Sequence, residues 1–388
     1  MTPFASGNAI TLLETGAEYF PALEAAIAQA RREIHLETYI FADDPTGRRI
    51  AAALAAAARR GVRVRVLVDG FGARNLVPPL RDILEPAGVH VLVFRPELSR
   101  FRLRRHRLRR MHRKLVVIDG ETGFCGGINI LDDLDGEGHG FPRFDYAVRF
   151  AGPIVADAHA AVGRLWWLVR WTTLGARRER AEPLVVPQAA PGPGVRAVFL
   201  TRDNLRNRRS IEQAYLEMIE GARREIFIAH AYFLPGRRFR TALQEAVRRG
   251  VTVRVLLQGR REYAFVQHAM RALYPSLLAA GIELHEYGRA YLHAKVAVVD
   301  GVRATVGSSN IDPFSLLLSR EANVFIHDAG LAGLLRQGLE RALRSGAVRI
   351  GQADLARQSW LEKLKWRAAL ALGRVLIGLT GYATRDDL

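Results

Sequence analysis

The chain repeats itself, and the repeat limits its fold more than any other feature of the sequence. Ala30-Arg31-Arg32-Glu33-Ile34 returns as Ala222-Arg223-Arg224-Glu225-Ile226. Arg59-Arg60-Gly61-Val62-Arg63-Val64 returns as Arg248-Arg249-Gly250-Val251-Thr252-Val253. His112-Arg113-Lys114-Leu115-Val116-Val117-Ile118-Asp119 then returns as His293-Ala294-Lys295-Val296-Ala297-Val298-Val299-Asp300. Three blocks in one order, within 388 residues, mean two copies of one unit. We expect a first unit over residues 1–182 and a connector over 183–194, where Pro183, Pro187, Pro191 and Pro193 crowd together. A second unit is expected over 195–350 and a tail over 351–388.

Each copy reads as helix, strand, helix, strand, strand, then the strand of the third block. Asp44 suits a helix N-cap, Pro45 the first helical position and Gly61 a left-handed end. The alanine-rich run between them favours helix. Val62–Val68 and Val89–Phe94 are β-branched runs of the kind buried between layers. The fold class is therefore α/β: two tandem α/β sandwich units with mixed sheets, related by a pseudo-twofold axis, plus a C-terminal amphipathic helix.

The third block has the form His-x-Lys-x4-Asp. With 11 His, 4 Lys and 17 Asp, chance predicts about 0.005 occurrences, yet the chain has it at two matching places. Residues two apart on a strand share a face, so His112 projects with Lys114 and His293 with Lys295. An ammonium fixed beside an imidazole suits attack on a phosphodiester: Lys offsets the oxygen charge, and His supplies a nucleophile or a proton. If the copies face one another, two histidines flank one phosphorus, one to attack and one to protonate the leaving oxygen. Asp119 and Asp300 complete the catalytic set by motif. They also precede Gly120 and Gly301, where a turn-forming Asp is common, so structural support and catalytic electrostatics both stand open.

In these residues the chain resembles the phospholipase D superfamily, whose mark is this duplicated motif, and the resemblance covers nearly the whole length. It implies that Gly126-Gly127-Ile128-Asn129 and Gly307-Ser308-Ser309-Asn310 help bind phosphate, each Asn standing 17 residues after its His. Gly127 stands where the second copy has Ser308, so the halves are not equivalent. The resemblance implies further that Glu321 orients a catalytic His. Asp145 is its counterpart in the first copy, displaced by an insertion over 131–144. The implied mechanism is ping-pong through a phosphohistidine with no metal or other cofactor, His112 as nucleophile and His293 as acid/base. His35, His106, His139, His159, His230, His268, His285 and His327 show no paired ligand spacing and are expected to be structural or solvated. Lone Cys125 forms no intramolecular disulfide and reads as a buried thiol.

A net charge of +18 calls for an anionic partner without choosing which. Arg100, Arg102, Arg104, Arg105, Arg107, Arg109, Arg110 and Arg113 form a run too charged for a core, expected as a basic rim for lipid or nucleic-acid phosphates. From Ser359 to Tyr382, Leu361, Leu364, Ala368, Leu372, Val375 and Leu379 keep helical spacing, with Lys363, Arg367 and Arg374 on another face. That pattern fits a helix lying on an anionic membrane, or one packed on the protein's own core. No apolar run reaches the roughly 20 residues of a spanning helix, and the N-terminus does not read as a signal peptide.

The whole arrangement is similar to the bacterial cardiolipin synthase B group. The resemblance implies transfer of a phosphatidyl group from one phosphatidylglycerol to the hydroxyl of a second, releasing glycerol. Water as acceptor would make the same site a phospholipase D. A nuclease is less favoured, because an apolar tail has no use on DNA. Mere nucleic-acid binding needs charge but not two His–Lys pairs. The expected partners are therefore anionic phospholipids and a membrane surface, engaged by residues 100–113 and the tail. No nucleic acid is expected. The expected state is a peripheral monomer on the cytoplasmic face of a bacterial cell membrane.

Overall fold

A computed structural model describes residues 3–73, 79–96, 109–133, 141–174, 194–203, 207–260 and 263–378. Apart from Gly194, the expected connector lies outside the described residues, as do Arg100 to Arg107 of the basic run and the tail beyond Gly378. The first half comprises β1 (Ala5–Glu14), α1 (Thr15–Gln29), β2 (Glu33–Thr38), α2 (Pro45–Arg59), β3 (Arg63–Asp69) and α3 (Pro79–Leu84). After these come β4 (His90–Phe94), β5 (Leu115–Ile118), β6 (Thr122–Gly126), β7 (Tyr146–Ala151) and α4 (Ile154–Leu174). The second half repeats the plan with β8 (Val195–Arg202), α5 (Ser210–Glu220), β9 (Glu225–His230), α6 (Arg237–Arg248), β10 (Thr252–Gln258), α7 (Ala264–Arg271) and α8 (Tyr274–Ala279). It continues through β11 (Glu283–Tyr287), β12 (Lys295–Val299), β13 (Arg303–Gly307), α9 (Pro313–Leu317), β14 (Glu321–His327) and α10 (Ala329–Gly346). The chain then adds β15 (Ala347–Ile350), α11 (Gln352–Ala356) and α12 (Trp360–Gly378).

The local signals act as their chemistry requires. Asp44 accepts the amide of Gly47 at 2.7 Å and so satisfies one of the orphan donors that begin α2. Gly61 takes φ +92° just after the helix, and the chain turns into β3. Sequence reasoning did not anticipate β1 and β8. These two strands join the halves, pairing antiparallel at Ala5–Ala197 and Asn8–Val195 across an irregular register.

Within each half the sheet is mixed. Strands β2, β3 and β4 run parallel, while β5, β6, β7 and β1 continue from β2 antiparallel. The second half reproduces this with β9, β10 and β11 parallel and β12, β13, β14 and β8 antiparallel. Reading outward from the β1–β8 seam, the two strand orders match, which is the pattern a twofold operation generates.

Alternation along the motif strands decides what each face buries. Val116 and Ile118 of β5 pack under α1 and α2, and Ala297 and Val299 of β12 pack under α5 and α6. The opposite faces, Leu115 and Val117 with Val296 and Val298, share one core between the halves, which α4 and α10 also enter. Each such side chain contributes about 1.5–3 kcal/mol through burial, so the two copies are held together by the strands that carry the motif. Cys125 lies in that core, its Sγ donating to Ala322 O at 3.5 Å, and burial pushes its thiol up to about 12.

Candidate active site

The two motifs enter the site on short segments that pair across the halves. His112 N–H donates to Arg320 O at 2.9 Å, and Arg320 N–H donates to Arg110 O at 2.8 Å. On the other side His293 N–H donates to Phe144 O at 2.9 Å, and Phe144 N–H to Tyr291 O at 2.8 Å. Each histidine is thereby laid against the residue that precedes the other half's carboxylate.

The carboxylate partners are consequently exchanged. His112 Nδ1 lies 3.0 Å and 3.2 Å from the two oxygens of Glu321. His293 Nδ1 lies 2.6 Å from Asp145 Oδ2. Both carboxylates are buried, while the imidazoles keep 17% and 15% of their side-chain surface open. With Nδ1–H donating to a carboxylate, Nε2 is left as the lone-pair nitrogen.

Gly127 and Ser308 differ because the two carboxylates differ in length. Ser308 Oγ donates to Glu321 Oε2 at 2.5 Å and accepts the amide of Ala322 at 3.0 Å, so it braces the longer side chain. At Gly127 a Cβ would stand 2.2 Å from Asp145 Oδ1, so the shorter carboxylate occupies the space a side chain would need. Both positions, assigned from resemblance to phosphate binding, lie against the carboxylates. Asn129 is buried and its Oδ1 accepts the amide of Ile40 at 3.1 Å. Asn310 is also buried and lines the cavity beside His112, its Oδ1 without a hydrogen-bond partner among the described residues.

Lys114 and Lys295 are nearly or wholly buried. Lys114 Nζ donates to His112 O at 2.8 Å and stands 5.4 Å from the centre of the Tyr39 ring. Lys295 Nζ reaches His293 O, lies 2.9 Å from His293 Nδ1 and 3.9 Å from Asp145 Oδ2. Burial, reinforced by the Lys295 charge, depresses Lys114 to about 7. Burial likewise lowers His112 despite the Glu321 carboxylate, and lowers His293 well below its ordinary value with help from both lysines. Asp145 is raised to about 6 because desolvation outweighs Lys295 and the Tyr146 amide. Cations gathered where burial disfavours charge favour a bound anion.

Of the two roles left open for Asp119 and Asp300, their surroundings support the structural one. Each closes the far end of its motif strand, about 16 Å along the chain from the lysine at 3.3 Å per residue. Asp119 accepts the amides of Arg31, Arg32 and Glu33 at 2.9, 2.7 and 2.9 Å. Asp300 accepts those of Arg223, Arg224 and Glu225 at 3.0, 2.7 and 3.1 Å. Both sit at positive φ, near +55°. They tie the motif strands to β2 and β9.

The basic run needs a correction. Arg113 is not on a rim: it is buried and paired with Glu37 at 2.7 Å. Burial raises Glu37 to about 7 against the pull of that guanidinium. Arg110, by contrast, lines the cavity over the Phe71 ring. Alternation along the segment sends Arg110, His112 and Lys114 one way and Met111 and Arg113 the other.

Two residues that matter were missed. Asp69 Oδ2 accepts Met111 N–H at 2.9 Å, and Gln258 Oε1 accepts Leu292 N–H at 3.2 Å, so each fixes the residue before a motif histidine. Their signal was the equivalent place at the ends of Val62–Val68 and Val251–Leu257. A third grouping had no spacing signal: His159 and His35 lie 2.5 and 3.3 Å from opposite oxygens of Glu33. The matching Glu225 instead takes Arg336 and Arg254 at 2.5 and 3.0 Å, so each carboxylate is partnered in its own way.

From His112 an apolar cavity of about 280 Å³ runs between the 232–236 loop, α7 and α12. Helix α12 turns Trp366, Ala369, Gly373 and Ile377 inward. It turns Leu361, Leu364, Leu372 and Val375 outward, each more than half exposed. The tail therefore packs on the protein through one face and leaves a second, apolar face open to solvent. Among the described residues no helix is long and apolar enough to cross a membrane.

Residues 23–133 and 215–343 match the family described as cardiolipin synthase, PLD-like domain. Cardiolipin synthase B of Escherichia coli K12 is 39% identical over 385 residues, covering 97% of this chain and 90% of its own. A probable cardiolipin synthase of Bacillus subtilis is 34% identical over 362 residues, covering 90% and 70%. The crystal structure of phosphatidylserine synthase from Haemophilus influenzae superposes with a TM-score of 0.69 at 14% identity, covering 99% and 97%, which is a likeness of fold.

Proposed function

Because the chain belongs to the PLD-like cardiolipin synthase family, we propose that the composite site joins two phosphatidylglycerol molecules into cardiolipin through a phosphohistidine. Phosphatidyltransferase activity of the cardiolipin synthase type follows from the family; the donor, the acceptor and the residue roles are our reading. The observation that carries it is the exchange of carboxylates, which leaves two oriented imidazoles and two buried lysines around one place for a phosphate.

The steps follow from the asymmetry of the pairs. His112, neutral and held by braced Glu321, attacks phosphorus through Nε2. Lys114 and Lys295 take the non-bridging oxygens as negative charge grows on them. His293, its Nδ1 held by Asp145 Oδ2, protonates the departing glycerol oxygen through Nε2. The same pair then takes the proton of the second phosphatidylglycerol hydroxyl as that oxygen attacks the phosphohistidine. In this reading Asn129 and Asn310 position the phosphate. The enzyme works as a peripheral protein, the outward leucines of α12 and the arginines beside the cavity meeting the cytoplasmic leaflet.

Incubation with labelled phosphatidylglycerol vesicles and, separately, DNA tests the reading. Cardiolipin and free glycerol are the expected products. Phosphatidic acid alone would select hydrolysis, and cut DNA would select the nuclease.

A further inference from the structure

The cavity beside His112 is larger than a phosphodiester requires, and its lining is of two kinds. Near His112 it offers Arg110, Tyr39 and the unpartnered Asn310 Oδ1; beyond them it is walled by Leu234, Val266 and Leu273 from the second half and by Ile377 from α12. A polar mouth at the catalytic histidine continuous with an apolar channel matches an amphiphile whose phosphate lies at the mouth. Arg240 and Arg374 also line it, near enough that their charges repel, and burial together with Arg374 lowers Arg240, which suits an anionic group there.

We infer that this channel holds one acyl chain of the phosphatidyl donor, and that α12 forms one of its walls. The donor's identity rests on the function proposed above; the channel itself rests on the geometry. Gly373 sets the channel width on the α12 side: a Cβ there would meet only Phe265, at 3.9 Å, an ordinary contact. A larger side chain would project into the channel. Helix α12 thus has its outer apolar face turned to solvent and its inner face on the channel, so a docked helix and a seated chain share one element.

The test uses alkyl phosphates, which bind without transfer chemistry. Calorimetry on the full-length protein should show dodecyl phosphate binding at least about tenfold tighter than butyl phosphate. Gly373→Leu should abolish that preference and leave butyl phosphate binding unchanged, while Gly373→Ala keeps it. Val266→Phe, which narrows the channel from α7, should repeat the loss should Gly373→Leu displace α12 and lower the melting temperature. Equal binding of the two alkyl phosphates by the wild type, or a preference surviving both bulky variants, overturns the channel. Failure to make cardiolipin with the preference intact would overturn the function and leave the channel standing.

Discussion

Glu321 lies 3.0 Å from His112 Nδ1 although 209 residues separate them, and Asp145 reaches His293 in the reverse sense across 148. Each half therefore supplies the histidine of one pair and the carboxylate of the other. Removing either carboxylate leaves an imidazole in the wrong tautomer rather than an empty half-site. Glu321→Gln and Asp145→Asn should each lower kcat by about 10²- to 10⁴-fold with KM within a few fold. Steady-state kinetics on phosphatidylglycerol check this; retention of more than a tenth of kcat by either variant counts against the exchange.

The unequal lengths of the carboxylates make a second prediction. Gly127→Ala places a methyl where Asp145 Oδ1 now stands, so it should detach His293 and lower kcat at least about tenfold. Gly127→Ser combined with Asp145→Glu rebuilds the Ser308–Glu321 arrangement in the first half. It should recover part of the loss, and a double variant no better than Gly127→Ala would refute the matched pairs.

Asp119 and Asp300 separate stability from chemistry. Asp119→Ala leaves three backbone donors at a turn partly open to water and puts alanine at φ +55°. The expected cost is about 1–3 kcal/mol, read as a lower urea midpoint. The activity of the folded fraction should stay within twofold of wild type. A hundredfold loss of kcat in fully folded Asp119→Ala would return the residue to the catalytic set.

The contrast between these residues explains what was legible in the chain. Repetition, turn chemistry and strand alternation are local, so the two units, α2 with its Asp44 cap and the direction of Lys114 could be read directly. The exchange of Glu321 and Asp145 depends on where the halves meet, and that surface is set by β1, β8 and the inward faces of β5 and β12. Arg113 was misplaced for a related reason: charge density argued for solvent, but alternation turned it onto Glu37. The role of Asp119 stayed open in the sequence because motif membership does not reveal which end of a strand reaches the site.

Lys114 predicts a pH dependence whose sign is fixed. Its pKa falls from 10.5 in the unfolded chain to about 7 in the free enzyme. Between those values the unfolded chain binds the proton and the folded one does not, so this residue makes stability rise with pH across that window. Below pH 7 the buried charge is present and its penalty is complete. Lys114→Met, which cannot titrate, should therefore be stabilised over wild type most at pH 6.5, and the gap should shrink by about 2–4 kcal/mol at pH 9.5. Urea unfolding at both pH values measures it, and a gap that stays constant or widens sinks the assignment.

The outer face of α12 carries the last prediction. Leu361, Leu364, Leu372 and Val375 are exposed together, while Trp366, Ala369 and Ile377 hold the helix to the second half from the opposite side. The inward contacts anchor the helix, so polar residues on the outer stripe should not unfold it. Inserting a leucine side chain into a lipid interface contributes about 1.5–3 kcal/mol, and a carboxylate there is also repelled by anionic headgroups. Leu364→Glu with Leu372→Glu should weaken sedimentation with phosphatidylglycerol vesicles at least about tenfold, with the melting temperature unchanged. Turnover on short-chain, monomeric phosphatidylglycerol should persist, because the stripe touches neither His112 nor His293. Vesicle binding equal to wild type would move membrane docking to another surface.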